Sequence, residues 1–372
     1  EVDSKHSYAY DPKDKDAGSN KLTLGEKCVV FTGTLFCVLL LVVYIHPEVY
    51  GGEPRTMFGR PEDDFVEEEE GPRDQGSPFS LEELTLRPGA IDGWASVNDT
   101  RAYADQRIKN KDHFFLDPSS GLTLSSIGIG TYLGNADDRT AQSIETAVAA
   151  SLGEGVNVID TSVNYLGQLA EKAVGKALRR VIVKEKTLPR EAIFLCTKAG
   201  FLPRDSTKDS AGGGTGQDTL SHWAVEWTDA SRARAEESGS EDYARFPRSE
   251  VVNKKHCIAP ACLDMSIRAS LQNLGVSSID LLYLHNVENQ FRDEFLSRDD
   301  AFDRLTRAFE RLEWYRANGI IRYYGLATWD AFRSSSTAAN HLSLHDVVDV
   351  AEHVGGTGTC VCLCVCVCLR ER

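Results

Sequence analysis

The chain has 372 residues and a formal net charge of −15 at pH 7. This length fits one barrel-sized domain with extensions or two smaller domains. The acidic balance argues against a nucleic-acid-binding protein, which would carry a basic surface. Much of the negative charge lies in residues 62–70, and such a run is typical of a solvated, disordered segment.

An uncharged apolar run covers residues 28–45, and polar sequence lies on both sides of it. A run of this length is just sufficient to cross a bilayer as a helix. We therefore predict a polar tail at residues 1–27, one transmembrane helix at residues 28–45 and an acidic disordered linker at residues 46–120. A core helix and a cleaved signal peptide are the alternatives for the apolar run.

From residue 121 to residue 356, short apolar strands alternate with amphipathic helices. The strands end near Tyr132, Asp160, Lys198, His285 and Thr328. Helices are predicted after residues 137–138, around residues 170–178, and over residues 261–274, 300–318 and 341–353, with Gly153 and Gly155 stopping the first. The alternation predicts an α/β fold of the (β/α)8 barrel type, with about five βα units in this chain.

An insertion at residues 201–255 interrupts this alternation and is rich in Gly, Ser, Asp and Arg. The run Gly212-Gly213-Gly214 has no framing strand and no following Gly-Lys-Ser or Gly-Lys-Thr, so a phosphate-binding loop is not favoured. We predict a flexible loop, with an active-site lid as the alternative because the insertion follows the carboxyl end of a strand.

Ionisable side chains stand at or just after three strand ends: Asp160, Tyr165, Lys198 and His285. Taken singly, they fit a turn aspartate, a packed tyrosine, a solvated lysine and a structural histidine. Carboxyl ends of barrel strands converge, however, and the four together favour a catalytic site. A phenol is a reluctant acid at neutral pH, and a neighbouring ammonium favours its phenolate. The set would therefore protonate a carbonyl oxygen and stabilise negative charge on it.

This arrangement resembles the aldo-keto reductase family, which has the same four residues in the same chain order. The resemblance runs from about residue 122 to residue 354. It includes the first strand Gly128-Ile129-Gly130-Thr131-Tyr132, the segment Glu171 to Leu178, and Tyr283-Leu284-His285-Asn286. It implies Tyr165 as the proton donor, Lys198 and Asp160 as residues that tune it, and His285 as the residue that orients the carbonyl substrate.

No side chain can supply hydride, so a cofactor must do so. The resemblance implies that this cofactor is NADPH. Its implied cofactor-binding residues are Gly130, Thr131, Asn286 and Thr328. Tyr132 and Trp329 are implied in the substrate pocket, and no metal site is predicted. Ala327 and Thr328 stand where many members have Ser-Asn to hold the nicotinamide carboxamide, so this contact is expected to be supplied differently.

The end of the chain departs from the family. Strands six to eight have no recognisable counterpart, and residues 357–372 alternate Cys with Val, as a translated TG repeat would. We predict that this tail is intron or frameshifted sequence and that the barrel is truncated, with a metal-binding tract as the less favoured alternative. The other five cysteines show no disulfide framework, which is typical of a reducing compartment.

Two functions follow from these features. The first is NADPH-dependent reduction of an aldehyde or ketone; the second is a catalytically inactive, membrane-tethered remnant or interaction protein. An open sheet of five strands exposes an edge and an apolar interior, which predicts a partner protein that covers it. The chain is predicted to be a single-pass membrane protein. Lysines before the apolar run favour a cytoplasmic N-terminus, whereas a soluble nicotinamide cofactor favours a cytosolic barrel, so the orientation stays open.

Overall fold

The computed structural model describes residues 77–81, 83, 88–107, 113–203, 216–239, 245–293, 295–355 and 362–365. The predicted tail at residues 1–27, the transmembrane helix at residues 28–45 and the acidic run lie outside the described residues and stay predictions. Among the helices within the described ranges, none combines the length and apolarity needed to cross a membrane.

The described part of the chain contains a small hairpin and a parallel sheet of six strands. Strands β1 and β2 pair in antiparallel fashion, and strands β3 to β8 pair in parallel, each beside its neighbour in the chain. This sequential parallel order is consistent with the wall of a barrel. The strands are β1 Phe114–Leu116, β2 Thr123–Ser125, β3 Ile129–Gly130, β4 Val158–Asp160, β5 Phe194–Ala199, β6 Ile279–His285, β7 Ile321–Thr328 and β8 Cys362–Val365.

Helices lie before and between these strands, and all those predicted from the periodicity of the sequence are among them. They are α1 Val97–Asp105, α2 Asp138–Glu154, α3 Leu169–Leu178, α4 Gly216–Ser238, α5 Pro260–Leu274, α6 Glu288–Phe291, α7 Arg298–Ala317 and α8 Leu344–Gly355. Asp137 caps α2 by accepting a hydrogen bond from the backbone N–H of Thr140, and Gly155 ends it in the left-handed conformation. Gly153 was predicted to stop this helix but lies inside it.

Side chains alternate between the two faces of the sheet. Residues such as Ile159, Leu195 and Leu282 join the large core formed with the helices. Residues of the opposite face form a second, inner cluster together with Ala95, Leu122 and Leu124 from outside this sheet; its sheet members are Val158, Phe194, Cys196, Leu281, Tyr283 and Ala327. The polar residues of the strand ends lie beyond this inner cluster.

The prediction of a disordered linker up to residue 120 is wrong for its last part. Helix α1 begins after Ser96, whose hydroxyl caps it, and strand β1 also falls within the predicted linker. Leu122 and Leu124 of the hairpin cover the inner apolar cluster of the sheet. The contacts that order this segment come from distant residues, including the Asp280 carboxylate, which accepts a 2.6 Å hydrogen bond from Ala95 N. Local sequence could not reveal them.

The insertion at residues 201–255 is also more ordered than predicted. Helix α4 occupies much of it, and its Trp223 and Trp227 are buried. Trp227 packs edge-on against Phe79 and Phe246, with ring centroids 5.8 and 6.5 Å apart. Two tryptophans four residues apart share one helix face, so this pattern was a helix signal that the polar composition obscured.

Two predictions about cysteines need correction. Strand β8 lies in the tail that was interpreted as carrying no strand, and it pairs in parallel with β7, with Gly325 opposite Cys362. Alternating Val favours a strand, and the edge of β7 offers unpaired backbone groups. Cys257 and Cys262, whose sequence pattern indicated no disulfide framework, form a disulfide with their Cα atoms 6.0 Å apart.

Helices α3 and α5 approach closely at Gly175, which yields a stability prediction. A Cβ atom at Gly175 would lie 2.4 Å from the backbone oxygen of Asn273. We expect Gly175→Ala to lower the free energy of unfolding by about 1–3 kcal/mol, because the helices must separate. Gly153→Ala is the matched control: nothing lies within 4 Å of its Cβ position, and alanine should stabilise α2 slightly. Urea unfolding of both variants checks this, and equal stabilities would contradict it.

Candidate active site

A buried ion pair lies at the carboxyl ends of β4 and β5. The ammonium nitrogen of Lys198 donates to both carboxylate oxygens of Asp160, at 2.7 and 2.6 Å. It also donates to the backbone oxygen of Thr161 at 2.9 Å. Neither charged residue is more than 4% exposed. Such a pair is sheltered from solvent screening, so the positive charge acts strongly on whatever lies beside it.

Tyr165 and His285 complete the predicted set. Tyr165 begins a 3₁₀ turn after β4, and the Lys198 ammonium lies 4.9 Å from the centre of its ring. His285 is the last residue of β6, and its ring packs edge-on against Tyr165 with centroids 5.8 Å apart. The structure therefore brings all four predicted catalytic residues together, although they come from three strands and a turn.

The imidazole of His285 is neutral at physiological pH. Burial, followed by the positive charge of Lys198, holds the pKa of His285 well below its usual range. The Ser162 hydroxyl lies 3.4 Å from its Nδ1 atom. A neutral ring carries one N–H, so it can donate one hydrogen bond without bringing a second positive charge beside Lys198.

Aromatic side chains surround this set. Tyr132, 51% exposed, packs edge-on against Tyr165 with centroids 5.0 Å apart. Phe201 packs edge-on against His285 at 5.1 Å. Trp329 is partly exposed, and its Nε1–H donates to the amide oxygen of Asn286 at 3.0 Å in the amide orientation that satisfies both groups. Tyr132 thus lies beside the catalytic set and Trp329 beside Asn286, and their roles in a substrate pocket stay predictions.

The four predicted cofactor-binding residues divide into two groups. Gly130 is exposed at the end of β3, and the neighbouring Thr131 is buried, with its hydroxyl 2.8 Å from that of Thr161. Asn286 and Thr328 lie at the ends of β6 and β7. The NH2 group and the oxygen of the Asn286 amide both have hydrogen-bond partners in the protein. The buried Thr328 hydroxyl, by contrast, has no hydrogen-bond partner among the described residues. The cofactor roles of all four stay predictions.

A model of the aldo/keto reductase family matches residues 126–351, more than half of the chain. The chain belongs to the aldo-keto reductase family. This result confirms the resemblance seen in the strand-end motifs, and the family is one of oxidoreductases that use nicotinamide cofactors.

The chain is 28% identical over 216 residues to a D-threo-aldose 1-dehydrogenase of Pseudomonas sp., an alignment of 56% of this chain and 52% of that protein. It spans about half the length of this curated relative.

Similar solved structures include an aldo-keto reductase of Bacillus halodurans in its holo form, which is 24% identical to this chain. The alignment covers 58% of this chain and 50% of that chain, with a TM-score of 0.34. Another is an aldo-keto reductase of Klebsiella pneumoniae in complex with NADP and acetate, with 18% identity, 58% and 52% coverage and a TM-score of 0.33.

Sequence reasoning missed several residues around this aldo-keto reductase site. Besides Ser162 and Phe201, they are His256, Glu288 and Gln290, which are all buried. Glu288 and Gln290 follow His285 closely in the chain, so their position after a functional strand end was an available signal. His256 is separated from His285 by helix α5, and no local pattern indicated that the two would meet.

Proposed function

We propose that this chain reduces an aldehyde or ketone with NADPH. The observation that supports the proposal most strongly is the buried Lys198–Asp160 pair beside Tyr165 and a neutral His285. A structural ion pair needs no tyrosine or neutral histidine beside it. A site that protonates a carbonyl oxygen needs an acid, a positive charge and a hydrogen-bond donor. The six sequential parallel strands support a (β/α)8-type barrel as the surrounding fold.

The residues act in distinct ways in the proposed reaction. The His285 N–H donates a hydrogen bond to the substrate carbonyl oxygen and holds it near Tyr165. The Tyr165 hydroxyl gives its proton to that oxygen, and the Lys198 ammonium stabilises the phenolate that remains. Asp160 keeps the ammonium charged and in place. A bound nicotinamide would supply the hydride to the carbonyl carbon, and the product would be an alcohol.

Glu288, at the start of α6, and Thr328, at the end of β7, fit a nicotinamide. Glu288 is 1% exposed; one of its carboxylate oxygens accepts a 2.8 Å hydrogen bond from the Trp329 backbone N–H, and the other has no partner among the described residues. The unpartnered Thr328 hydroxyl directly precedes Trp329. Buried polar atoms without partners are costly and call for a ligand or water. A carboxamide, with its NH2 group and oxygen, offers both a donor and an acceptor.

A direct assay tests the proposed function. The purified chain is titrated with NADPH and then supplied with a panel of aldehydes, ketones and aldoses, while NADPH consumption is followed. Aldoses with NADP+ test the reverse reaction, because the Pseudomonas relative is a D-threo-aldose 1-dehydrogenase. Saturable NADPH binding and carbonyl-dependent consumption would support the proposal. A folded chain that binds no NADPH would contradict it and favour the inactive remnant.

The fit of Glu288 to the carboxamide leads to a binding prediction. Glu288→Gln keeps an oxygen for Trp329 but replaces the free acceptor with an NH2 group. Burial raises the pKa of Glu288, so mildly alkaline buffer is used to ionise the wild-type carboxyl group. We expect the variant to bind NADPH about tenfold more weakly, a change of about 1.4 kcal/mol. The 3-acetylpyridine analogue, which has a methyl group in place of NH2, should bind both proteins with similar affinity.

Glu313→Gln is the control for this measurement. Glu313 is 8% exposed and pairs with Arg316 through one oxygen, while its other oxygen is also unpartnered among the described residues. It lies on α7, away from the strand ends. Fluorescence titration should show unchanged NADPH affinity for this variant. Equal weakening of both cofactors by Glu288→Gln would contradict the carboxamide contact.

A further inference from the structure

A second buried histidine binds the main chain of the first. His256 is fully buried, and its Nε2 atom lies 2.7 Å from the carbonyl oxygen of His285. A carbonyl oxygen only accepts hydrogen bonds, so the Nε2–H of His256 donates. The contact reaches the residue whose side chain orients the substrate carbonyl in the proposed function.

The neighbours of His256 determine which nitrogen carries its proton. The Gln290 amide nitrogen lies 2.9 Å from His256 Nδ1 and donates to it. The guanidinium of Arg304 donates at 2.8 Å to the Gln290 amide oxygen, which orients the amide. Nδ1 therefore accepts and Nε2 carries the proton. Burial lowers the pKa of His256 to about 4, which agrees with a neutral ring at physiological pH.

The main chain around this contact leaves little room for another arrangement. A Cβ atom at Gly200 would lie 2.9 Å from the His285 oxygen and 3.2 Å from His256 Nε2, so only glycine allows the two to meet. Gly200 also has a φ of 141°, which disfavours other residues. The ring of Phe201 packs edge-on against both histidines, with centroids 5.0 and 5.1 Å away. The carbonyl, both rings and Phe201 thus form one packed unit.

We propose that His256 is a positioning residue for His285: its Nε2–H holds the His285 carbonyl and so sets where the His285 ring meets the substrate. Gln290 and Arg304 serve this contact by keeping His256 in the donating tautomer. This inference rests on the proposed function. It extends the site to residues that lie behind the end of β6, on the segment that follows the insertion. A small displacement of an orienting group costs up to about 100-fold in rate, because proton transfer requires close alignment.

Substitutions of His256 separate positioning from simple packing. His256→Leu fills the space without a donor, whereas His256→Gln keeps an N–H at a similar reach. We expect His256→Leu to lower kcat about 10- to 100-fold, with the NADPH dissociation constant within about twofold of wild type. His256→Gln should recover most of the loss. His222→Leu, whose wild-type side chain is 75% exposed, is the control and should match wild type.

Each outcome of the kinetic test has a defined meaning. A wild-type kcat in His256→Leu would overturn the positioning role. A loss of kcat that His256→Gln does not restore would also overturn it, because the donor would then be irrelevant. A wild-type chain that binds no NADPH would instead contradict the proposed function, and the kinetic comparison could not be made.

NMR tests the contact without turnover. With 15N-labelled histidine rings, His256 should appear as a neutral ring protonated at Nε2 at neutral pH. The His285 ring signals should shift in His256→Leu, less so in His256→Gln, and stay unchanged in His222→Leu. A cationic or Nδ1-protonated His256, or His285 signals unmoved in His256→Leu, would overturn the proposal even if the chain were inactive.

Discussion

Replacing Tyr165 with phenylalanine is expected to lower the rate of carbonyl reduction by about 10²- to 10⁴-fold, the usual contribution of a general acid. The substitution removes one oxygen atom and its proton. The ring, which packs against His285 and lies beside the Lys198 ammonium, is retained. Packing and the electrostatic surroundings therefore stay the same, and only the proton donor is lost. NADPH binding should be nearly unchanged, as measured by fluorescence titration alongside NADPH consumption.

Tyr132→Phe is the matched control for this experiment. Tyr132 packs against Tyr165 but is half exposed, and it has no assigned proton to transfer. Its loss of a hydroxyl should change the Michaelis constant for some substrates and leave kcat close to wild type. If turnover survived in Tyr165→Phe, or fell equally in Tyr132→Phe, the assignment of Tyr165 as the acid would be wrong.

Replacing Lys198 with methionine is expected to affect stability and activity together. Methionine matches the length of the lysine side chain but leaves the Asp160 carboxylate, 4% exposed, without its 2.6 Å partner. Removing one partner of a buried ion pair lowers the free energy of unfolding by about 3–5 kcal/mol, because an uncompensated charge remains inside the protein. Carbonyl reduction should also be lost, since the phenolate of Tyr165 would have no neighbouring cation. Urea unfolding and NADPH consumption measure the two effects.

A double variant separates these two effects. In Asp160→Asn combined with Lys198→Met, no buried charge is left unpaired, so we expect much of the lost stability to return while activity stays absent. Lys176→Met, on the exposed side of α3, is the control and should change neither quantity. A Lys198→Met protein that is as stable as wild type would show that the pair contributes nothing to the fold.

Much of the barrel region could be predicted from sequence because its determinants are local. Helix α5 was predicted at residues 261–274 and is observed at Pro260–Leu274, with Gly275 in the left-handed conformation that ends it. Strand β6 was predicted to end near His285, which is its last residue. Hydrophobic periodicity, caps and glycines act within a few residues of each other, so a single sequence carries them.

The failures share a different cause. Helix α1 is short and polar, and it is held by contacts such as Tyr103 OH to the Leu152 carbonyl, far along the chain. Helix α4 lies in an insertion whose composition suggested a loop, and the Cys257–Cys262 disulfide links the segment after that insertion to helix α5. Strand β8 depends on the free edge of β7. In each case the stabilising partner lies elsewhere in the fold, and the local propensity for helix or strand does not predict that contact.

For the candidate site, the sequence by itself determined the family, most of the strands and helices that frame the site, and which four residues lie at or just after the strand ends. It could do so because parallel strands of one sheet must present their carboxyl ends on the same side. Only the tertiary structure decided which groups surround those four. The neutral state of His285 depends on burial and on the Lys198 charge. The hydrogen bond from His256 to the His285 carbonyl depends on the segment after the insertion, which packs behind β6. Desolvation and contacts between distant residues arise only when the chain is folded.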